Sequence, residues 1–245
     1  MGIKAEEGNV YDANLLKFIH WKLDVGRATE RIRSFQKWRK VTPFAFDNPP
    51  LYASVDPQLK KLLEAEILVI PKDIYSKDGE CRVVIGRLRN NKMSEHGSSP
   101  EDVARMMFYT IDRVLENEKA QTNGILLFHD LSGLSRANLH PKIPKILIPG
   151  LIGHFPVKIR GIYILNAPWF FKTMFKVISM ILPAKLRARV HFVNDISLLH
   201  QVINKADLLE EHGGNVKHDQ VKWVAEQIER EISGEITSLG QLPAM

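Results

Sequence analysis

The residues best suited to catalysis stand together at the end of one apolar run. His129 and Asp130 close this run, and Ser132 and Ser135 follow directly. Hydrolases commonly activate a hydroxyl through a neighbouring histidine and carboxylate, so a hydrolase using His129 and Asp130 is one interpretation. The other is structural, with Asp130 closing a strand-to-loop turn that Gly133 relaxes. Because no catalytic signature surrounds these residues, we favour the structural interpretation.

The rest of the sequence carries no catalytic or cofactor-binding signature. It lacks the nucleophile elbow G-x-S-x-G, the phosphate loop G-x-x-x-x-G-K-[ST] and the dinucleotide fingerprint G-x-G-x-x-G. No two histidines show H-x-x-x-H spacing, so a metal site is not predicted. Cys81 is the single cysteine, which excludes an internal disulfide and indicates a reducing, cytoplasmic compartment. We predict that the protein is not an enzyme and has no catalytic residues, metal or cofactor.

Charge is distributed unevenly along the 245 residues. The net charge is +6, yet the segment from Leu131 to Asn194 contains no Asp or Glu. The same segment contains ten cations: Arg136, Lys142, Lys145, Lys158, Arg160, Lys172, Lys176, Lys185, Arg187 and Arg189. A field of one sign over this length favours an anionic partner, either nucleic acid or an anionic membrane. A run of charges on a solvated face is the alternative.

One stretch, NAPWFFKTMFKVISMILPAKLRAR at 166–189, narrows that choice. Its apolar side chains fall on one face of a predicted helix from Trp169 to Leu182: Phe171, Met174, Phe175, Ile178, Ile181 and Leu182. Burying six such side chains is worth roughly 9–18 kcal/mol, so this face must cover a core, a ligand or a bilayer. Nucleic acid is disfavoured, because the aromatic side chains share one stripe instead of alternating with cations on an exposed face.

The same stretch is not predicted to span a membrane. Lys172 and Lys176 interrupt it, and a spanning helix needs ~20 mostly apolar residues. The N-terminus has no apolar region after a basic start, so a secretory signal is not expected. A basic collar follows the helix, formed by Lys185, Arg187 and Arg189. Near an anionic leaflet each cation contributes about 1 kcal/mol of attraction, so the three cations together could support reversible membrane binding.

The remaining pattern predicts an α/β fold. Apolar runs at 124–129, 159–165 and 190–193 predict buried strands, and the helical segments between them indicate a largely parallel sheet. Two further runs, at 67–70 and 82–88, flank a turn and predict a hairpin.

Local signals place several of the helices. Ser99 predicts the start of a helix that runs to about Glu118. Two helices are predicted in the first 40 residues, the second with this buried face: Val25, Ala28, Ile32, Phe35 and Trp38. Three prolines argue against one regular helix across 139–156, namely Pro141, Pro144 and Pro149.

Four segments resemble landmarks of the CRAL-TRIO lipid-binding family, in the family's order. The N-terminal helical lobe is matched by LLKFIHWKLDVGRATERIRSFQKWRK, and the strand ending in D-x-x-G by NGILLFHDLSG. The second half of the domain is matched by FPVKIRGIYILNAPWFFKTMFKVISMILPAKLRARVHF, and the Gly-Gly turn by ADLLEEHGGN. The likeness covers about 13–232 and is strongest to tocopherol-transferring members.

The resemblance implies the domain organisation. A helical N-terminal lobe is expected at 13–57 and a CRAL-TRIO lipid-binding domain at 58–232, and 233–245 are expected to form a flexible tail. The implied fold is α/β, with a mixed, largely parallel sheet as the floor of an apolar pocket. The predicted helix from Trp169 to Leu182 matches the mobile helix over that pocket, and we call it the gate helix.

The resemblance also implies which side chains bind ligands. The lipid is expected to contact Ile125, Leu127, His129 and Tyr163 on the strands. On the gate helix, the expected contacts are Phe171, Met174, Phe175, Ile178 and Leu182. The basic collar of Lys185, Arg187 and Arg189 matches the patch with which tocopherol-transferring members bind phosphoinositide membranes.

Departures from the family indicate the kind of cargo. Among the positions that hold the inositol phosphate in phosphatidylinositol-transferring members, only Arg189 keeps a cation, and three are apolar here: Ile125, Leu127 and Val157. A buried phosphate would lack partners, so we expect an apolar cargo such as a tocopherol, retinoid or sterol. We predict a monomeric, cytoplasmic lipid-transfer protein that is transiently peripheral to phosphoinositide membranes and has no nucleic-acid partner. The alternative is a recruitment or scaffold module that senses phosphoinositide without cargo.

Overall fold

The computed structural model describes residues 10–242. In chain order, its helices and strands are α1 (Val10–Lys22), α2 (Val25–Val41), α3 (Pro57–Glu64), β1 (Leu68–Val69), β2 (Arg82–Gly86), α4 (Met93–His96), α5 (Pro100–Val114), α6 (Glu118–Thr122), β3 (Ile125–Asp130), α7 (Lys142–Pro149), β4 (Ile159–Leu165), α8 (Trp169–Ile181), α9 (Ala184–Arg187), β5 (Val190–Val193) and α10 (Gln220–Ile232). The gate helix is α8, which begins and ends within one residue of its predicted bounds.

Five strands form one sheet in the order β1-β2-β3-β4-β5. The first pair is antiparallel and the other three pairs are parallel, so the predicted mixed, largely parallel sheet is confirmed. The predicted hairpin of β1 and β2 is confirmed as well. Because β2, β3 and β4 run in the same direction, their carboxyl ends meet at the edge of the sheet from which the chain enters the gate helix.

Capping side chains set the bounds of the central helices. Ser99 and Asp102 form a reciprocal capping box at the start of α5, where the sequence predicts the helix to begin. The helix ends at Val114, before the predicted end near Glu118. The reason is Asn117, whose side chain accepts a hydrogen bond from a backbone N–H and starts the separate helix α6.

The segment with three prolines is not one regular α-helix, as predicted, yet it stays helical. Pro144 lies in the first turn of α7, where a backbone N–H has no partner within the helix. Pro149 ends α7, and the chain continues as a π-helical turn over Gly150–His154. Gly150 is required in this turn, because a Cβ there would come within 2.7 Å of the Trp38 ring.

The sheet has two faces, since successive side chains along a strand point in opposite directions. The front face carries Val84, Ile125, Leu127, His129, Ile162, Ile164, Val190 and Phe192. The back face carries Val83, Ile85, Leu126, Phe128, Tyr163, Leu165 and Val193. The front face shares a continuous core with α2, α3 and α5. Apolar side chains from residues 196–216 cover the back face.

Residues 236–242 pack against α1 and α5, so this part of the predicted flexible tail at 233–245 is corrected, and 243–245 lie outside the described residues. Leu239 and Leu242 are buried. The Leu239 N–H donates to Asp112 Oδ2 at 3.0 Å, and Asn14 Nδ2 donates to the Ser238 carbonyl at 3.0 Å. These contacts hold residues 236–242 in the core of the helical lobe. The last residues of a chain are commonly frayed, so their position in the sequence does not predict this packing.

Candidate functional site

Leu127 and Ile162 lie side by side on the front face, in the neighbouring strands β3 and β4. Both side chains are partly exposed, whereas Phe128 on the back face is completely buried. Side chains in the middle of a sheet covered on both sides are normally buried, so solvent-sized space reaches the front face. We call this space the front cleft. Leu127 therefore lies where the sequence predicts a lipid contact, and Ile162 is a neighbour that the sequence did not identify.

Further half-buried apolar side chains border the front-face core. Half-buried side chains of α7 and the π-helical turn pack against the front-face core, namely Ile146, Leu147 and Leu151. Leu186, after the gate helix, is half-buried against the same core. Neither Asp nor Glu is among these front-cleft side chains. The space is therefore suited to an apolar guest.

His129 is the polar side chain at the floor of the front cleft. Its ring lies against Gly86 in β2, where an added Cβ would come within 2.0 Å of Nδ1. Nδ1 is buried and has no hydrogen-bond partner. Burial lowers the pKa of His129 to about 4, so the ring is neutral at neutral pH. A neutral imidazole can exchange a single hydrogen bond with a guest without placing a charge in the cleft.

The gate helix covers the front face through its predicted apolar stripe. Phe171 is buried in a cluster with Leu131, Leu134 and Ile164. Phe175 is half-buried and meets Phe192 of β5 edge to face, with ring centroids 5.3 Å apart. Met174 and Ile178 are half-buried, and Leu182, just after the helix, is buried. The predicted gate residues therefore share the side of the helix that faces the sheet.

The outer side of the gate helix is also partly apolar. Ile181 is exposed, which corrects its predicted place on the buried stripe. Val177 and Met180 are exposed with it, and Met180 reaches 73% exposure. The helix ends at Ile181, where the helical spacing that defines the apolar stripe also ends. Three large apolar side chains thus face solvent next to the basic collar.

Arg136 holds the N-terminal end of the gate helix. Its guanidinium lies 5.4 Å from the ring centroid of Trp169 and 5.7 Å from that of Phe170. Trp169 is otherwise largely exposed. The sequence offers no signal for this contact, because the cation and the two rings come from distant segments.

Two predicted lipid contacts on the strands are corrected. Tyr163 lies on the back face, where it stacks on His191 and lines a cavity of about 580 Å³. The reason is a bulge in β4: Ile159 pairs with Ile125, but the next pair is Gly161 with Leu126, so every later side chain changes face. Ile125 does point to the front face, but it is completely buried and does not line the open part of the cleft.

The basic collar divides into two exposed cations and one engaged cation. Lys185 and Arg187 are exposed, and Arg187 Nη1 lies 3.4 Å from the Ser179 carbonyl near the end of the gate helix. Arg189 is half-buried and donates to the Ile159 carbonyl. One N–H of Arg189 is therefore tied to the sheet, and its phosphoinositide contact stays a prediction.

The residues of the hydrolase interpretation do not assemble. His129 and Asp130 point to opposite faces of β3 because they are adjacent in a strand. Burial alone would raise the pKa of Asp130, but the ring of His212, whose Nε2 lies 3.5 Å from Asp130 Oδ2, and hydrogen bonds from Ser132 and Asn166 hold that pKa well below the usual range. Ser132 Oγ donates directly to Asp130 Oδ1 at 2.8 Å. A carboxylate this acidic is a poor base, and its hydroxyl neighbour is held by the acid and not by a histidine.

The described residues contain no group of three or more His, Cys, Asp or Glu side chains placed to hold a metal ion. Within residues 10–242, none of the helices combines the length and the apolar character needed to cross a bilayer.

Comparison with known proteins identifies the fold family. The family model described as the CRAL/TRIO domain matches residues 74–214, which is more than half of the chain. The chain belongs to the CRAL-TRIO family. The match contains strands β2 to β5, the front cleft, the gate helix and the basic collar. The resemblance stated from four sequence segments is thereby confirmed, and CRAL-TRIO proteins are a family of lipid-binding and lipid-transfer proteins.

Two relatives within the CRAL-TRIO family illustrate the degree of similarity. "Alpha-tocopherol transfer protein-like" from Homo sapiens is 28% identical over 221 residues, which cover 87% of this chain and 62% of the relative. "Clavesin-1" from Rattus norvegicus is 27% identical over 218 residues, covering 86% of this chain and 60% of the relative. The chain therefore spans about three fifths of the length of these relatives.

A solved CRAL-TRIO-like structure supports the fold. The protein in the "Crystal structure of Sfh5" superposes with a TM-score of 0.59 at 15% identity. The superposition covers 92% of this chain and 82% of the other. It therefore extends beyond residues 74–214.

Proposed function

We propose that this chain binds one apolar lipid in the front cleft and exchanges it at anionic, phosphoinositide-containing membranes. The observation that carries the proposal is the partial exposure of Leu127 and Ile162 at the centre of a covered sheet. Apolar side chains that stay partly exposed beneath a helix favour a binding space for an apolar ligand. Membership of the CRAL-TRIO family supports the same reading.

The cargo we propose is uncharged and mostly hydrocarbon, such as a tocopherol, retinoid or sterol. The front cleft offers one neutral imidazole, His129, and otherwise the apolar side chains described above. Arg189, a cation of the collar, is engaged by the Ile159 carbonyl. An ionised phosphate in the cleft would be left without partners, which disfavours phosphatidylinositol as cargo. The neutral ring of His129 adds no charge with which an ionised cargo could pair.

Exchange is proposed to take place when the outer side of the gate helix meets a membrane. Val177, Met180 and Ile181 present apolar surface there, and Lys185 and Arg187 present positive charge beside it. This combination suits an anionic bilayer, where apolar side chains enter the interface while the cations stay at the phosphates. The protein would then be a cytoplasmic monomer that associates with membranes transiently.

We propose no covalent catalysis. The separation of His129 from Asp130 across the sheet, and the hydrogen bonds that occupy Asp130, support a structural role for this pair. Asp130 instead ties the end of β3 to Asn166, which precedes the gate helix.

A second candidate is a recruitment module that senses phosphoinositide without transferring cargo. It is favoured by the exposed cations and apolar residues at the end of the gate helix, which need no cargo to contact a membrane. The front cleft would then be empty or filled only incidentally.

Mass spectrometry of lipids extracted from the purified protein tests the proposal. We expect one co-purified lipid per chain, of low polarity. Ile162→Trp, which fills the cleft, should abolish this signal, whereas Val41→Trp, at an exposed position on α2, should leave it unchanged. Absence of any co-purified lipid, together with no binding of added tocopherol, retinol or cholesterol, would overturn cargo binding and favour the recruitment module.

A further inference from the structure

The turn between α1 and α2 places two large apolar side chains in solvent. Leu23 is 74% exposed and Val25 is 71% exposed, although the sequence predicts Val25 on the buried face of its helix. Asp24, between them, caps α2 by accepting a hydrogen bond from the Arg27 N–H at 2.7 Å. The turn is therefore well formed, and most of the surface of both apolar side chains faces solvent.

Leu23 occupies a backbone conformation that disfavours leucine. Its φ is +53°, at the position after a helix where glycine or asparagine is usual. Its N–H donates to the Ile19 carbonyl at 2.6 Å, which closes the last turn of α1. A glycine would make the same hydrogen bond without steric strain, and the exposed leucine side chain adds nothing to the core. The choice of leucine at this position points to a contact outside the chain.

Cations surround the turn. Lys22 Nζ lies 3.8 Å from the centroid of the Trp21 ring, and the Arg31 guanidinium lies 5.2 Å from the same centroid. The pKa of Lys22 is lowered by burial first, and then by the charges of four other cations: Arg31, Lys158, Arg27 and Lys185. Lys185 belongs to the basic collar, and its positive charge acts on Lys22 at the turn.

We propose that the turn from Lys22 to Val25 is a second membrane-docking site, specific for anionic bilayers. Leu23 and Val25 enter the interface between lipid headgroups, and Lys22, Arg27 and Lys185 contact the phosphates. Apolar side chains ringed by cations complement the layered chemistry of such a surface, with hydrocarbon beneath negative headgroups. A protein partner would have to offer apolar and acidic groups in the same arrangement. The inference rests on the proposed function, since it adds a contact to the same membrane encounter.

A fluorescent reporter at residue 23 tests the site in the full-length chain. Cys81 is the single cysteine of the sequence, so a new exposed cysteine in a Cys81→Ala background is the one site that is labelled. The probe is an environment-sensitive dye on Leu23→Cys, mixed with phosphatidylcholine vesicles with or without phosphatidylserine. We expect a blue shift and a rise in emission only with the anionic vesicles. The matched control is Val41→Cys, 77% exposed near the other end of α2, which should not respond.

A second variant separates docking from folding. Leu23→Gly removes the apolar side chain and relieves the strained φ, so the melting temperature should stay equal or rise. Co-sedimentation with anionic vesicles should nevertheless weaken by about tenfold. A lowered melting temperature would show that Leu23 serves the fold, and unchanged co-sedimentation would show that the turn does not dock.

The outcomes keep this inference apart from the proposed function. Lipid in the purified protein, with vesicle binding that depends on Lys185 and Arg187 but not on Leu23, would overturn the docking site and leave cargo transfer standing. A response of the dye on Leu23→Cys to anionic vesicles, without any bound lipid in mass spectrometry, would support the docking site and overturn cargo transfer. Equal responses to neutral and anionic vesicles, or no response to either, would contradict an anionic bilayer as the occupant.

Discussion

Phe175 of the gate helix meets Phe192 of β5 edge to face, with ring centroids 5.3 Å apart. Since β5 is the last strand of the sheet, this pair fixes the middle of the gate helix to the sheet's edge. Phe192 is itself exposed, so the contact lies where the gate helix would have to separate from the sheet for a lipid to pass.

Removing either ring of this pair should speed release of an apolar cargo. An edge-to-face pair contributes ~0.5–1.5 kcal/mol beyond its buried area, so Phe175→Ala and Phe192→Ala should each raise the release rate about two- to tenfold. The rate is measured by dilution of a fluorescent tocopherol analogue into acceptor vesicles. The double variant should release cargo less quickly than the product of the two single effects predicts. Fully multiplicative effects would mean that the rings do not act together.

Gly86→Ala should disturb the floor of the front cleft. The added methyl would come within 2.0 Å of His129 Nδ1, which must move into the cleft and displace cargo. We expect weaker cargo binding and a destabilisation of ~1–3 kcal/mol, as for other overpacked cores. The double variant Gly86→Ala with His129→Ala restores the space and should recover stability in urea unfolding. Failure of this rescue would mean that the methyl clashes with something other than the imidazole.

Burial of His129 should make stability fall in mild acid. Its pKa is about 4 in the folded chain and about 6.5 when unfolded, so the unfolded chain binds a proton first as the pH drops. The stabilisation is fully present above pH ~6.5 and is lost progressively towards pH ~4, by about 3 kcal/mol.

Urea unfolding at several pH values measures this loss. Burial also lowers the pKa of His96 and of His154, which adds to the same trend, so the test is the difference from His129→Leu. His129→Leu should flatten the pH dependence, and His191→Asn, at an exposed residue, should not. A curve for His129→Leu parallel to that of the parent chain would contradict a buried neutral imidazole.

Ending the chain after Glu235 should destabilise the whole fold. The truncation removes the buried leucines at 239 and 242, which contribute about 3–6 kcal/mol together. It also removes the Leu239 N–H that donates to the fully buried Asp112. Thermal unfolding should show a clearly lowered melting temperature, and Leu198→Gln, at an exposed leucine, should show none. A truncated chain as stable as the parent would restore the prediction of a flexible tail.

Charge reversal should separate the three cations of the basic collar. Lys185→Glu with Arg187→Glu should weaken binding to anionic vesicles by at least about tenfold and leave the melting temperature unchanged, because both side chains are exposed. Arg189→Ala should instead lower stability by about 1–3 kcal/mol, through the loss of its bond to the Ile159 carbonyl. Equal effects of the two variants on vesicle binding would contradict this division.

The strands and the gate helix could be predicted because their signals are local. Continuous apolar runs mark β3, β4 and β5, and the spacing of Phe171, Phe175 and Ile178 marks one side of a helix. Such patterns depend on neighbouring residues, and the elements follow from them whatever the rest of the chain does. The same holds for the capping box at Ser99, which is complete within four residues.

The errors came from relationships between distant segments. The sequence predicts the wrong face for Tyr163, because the bulge in β4 exists only in its pairing with β3. The hydrogen bond of Arg189 could not be predicted, because its partner, the Ile159 carbonyl, lies 30 residues earlier. The packing of Leu239 depends on Asp112, which is buried in another helix. No local pattern carries this information.

The alternation of side chains along β3 has a consequence for mutational scanning. Leu126 and Phe128 fill the packed back face, whereas Leu127 and His129 line the front cleft. Substitutions at successive positions should therefore alternate in phenotype, with loss of folded protein at one residue and altered lipid preference at the next. A single strand thus separates the positions at which sequence variation is lethal to the fold from those at which it can change the choice of lipid.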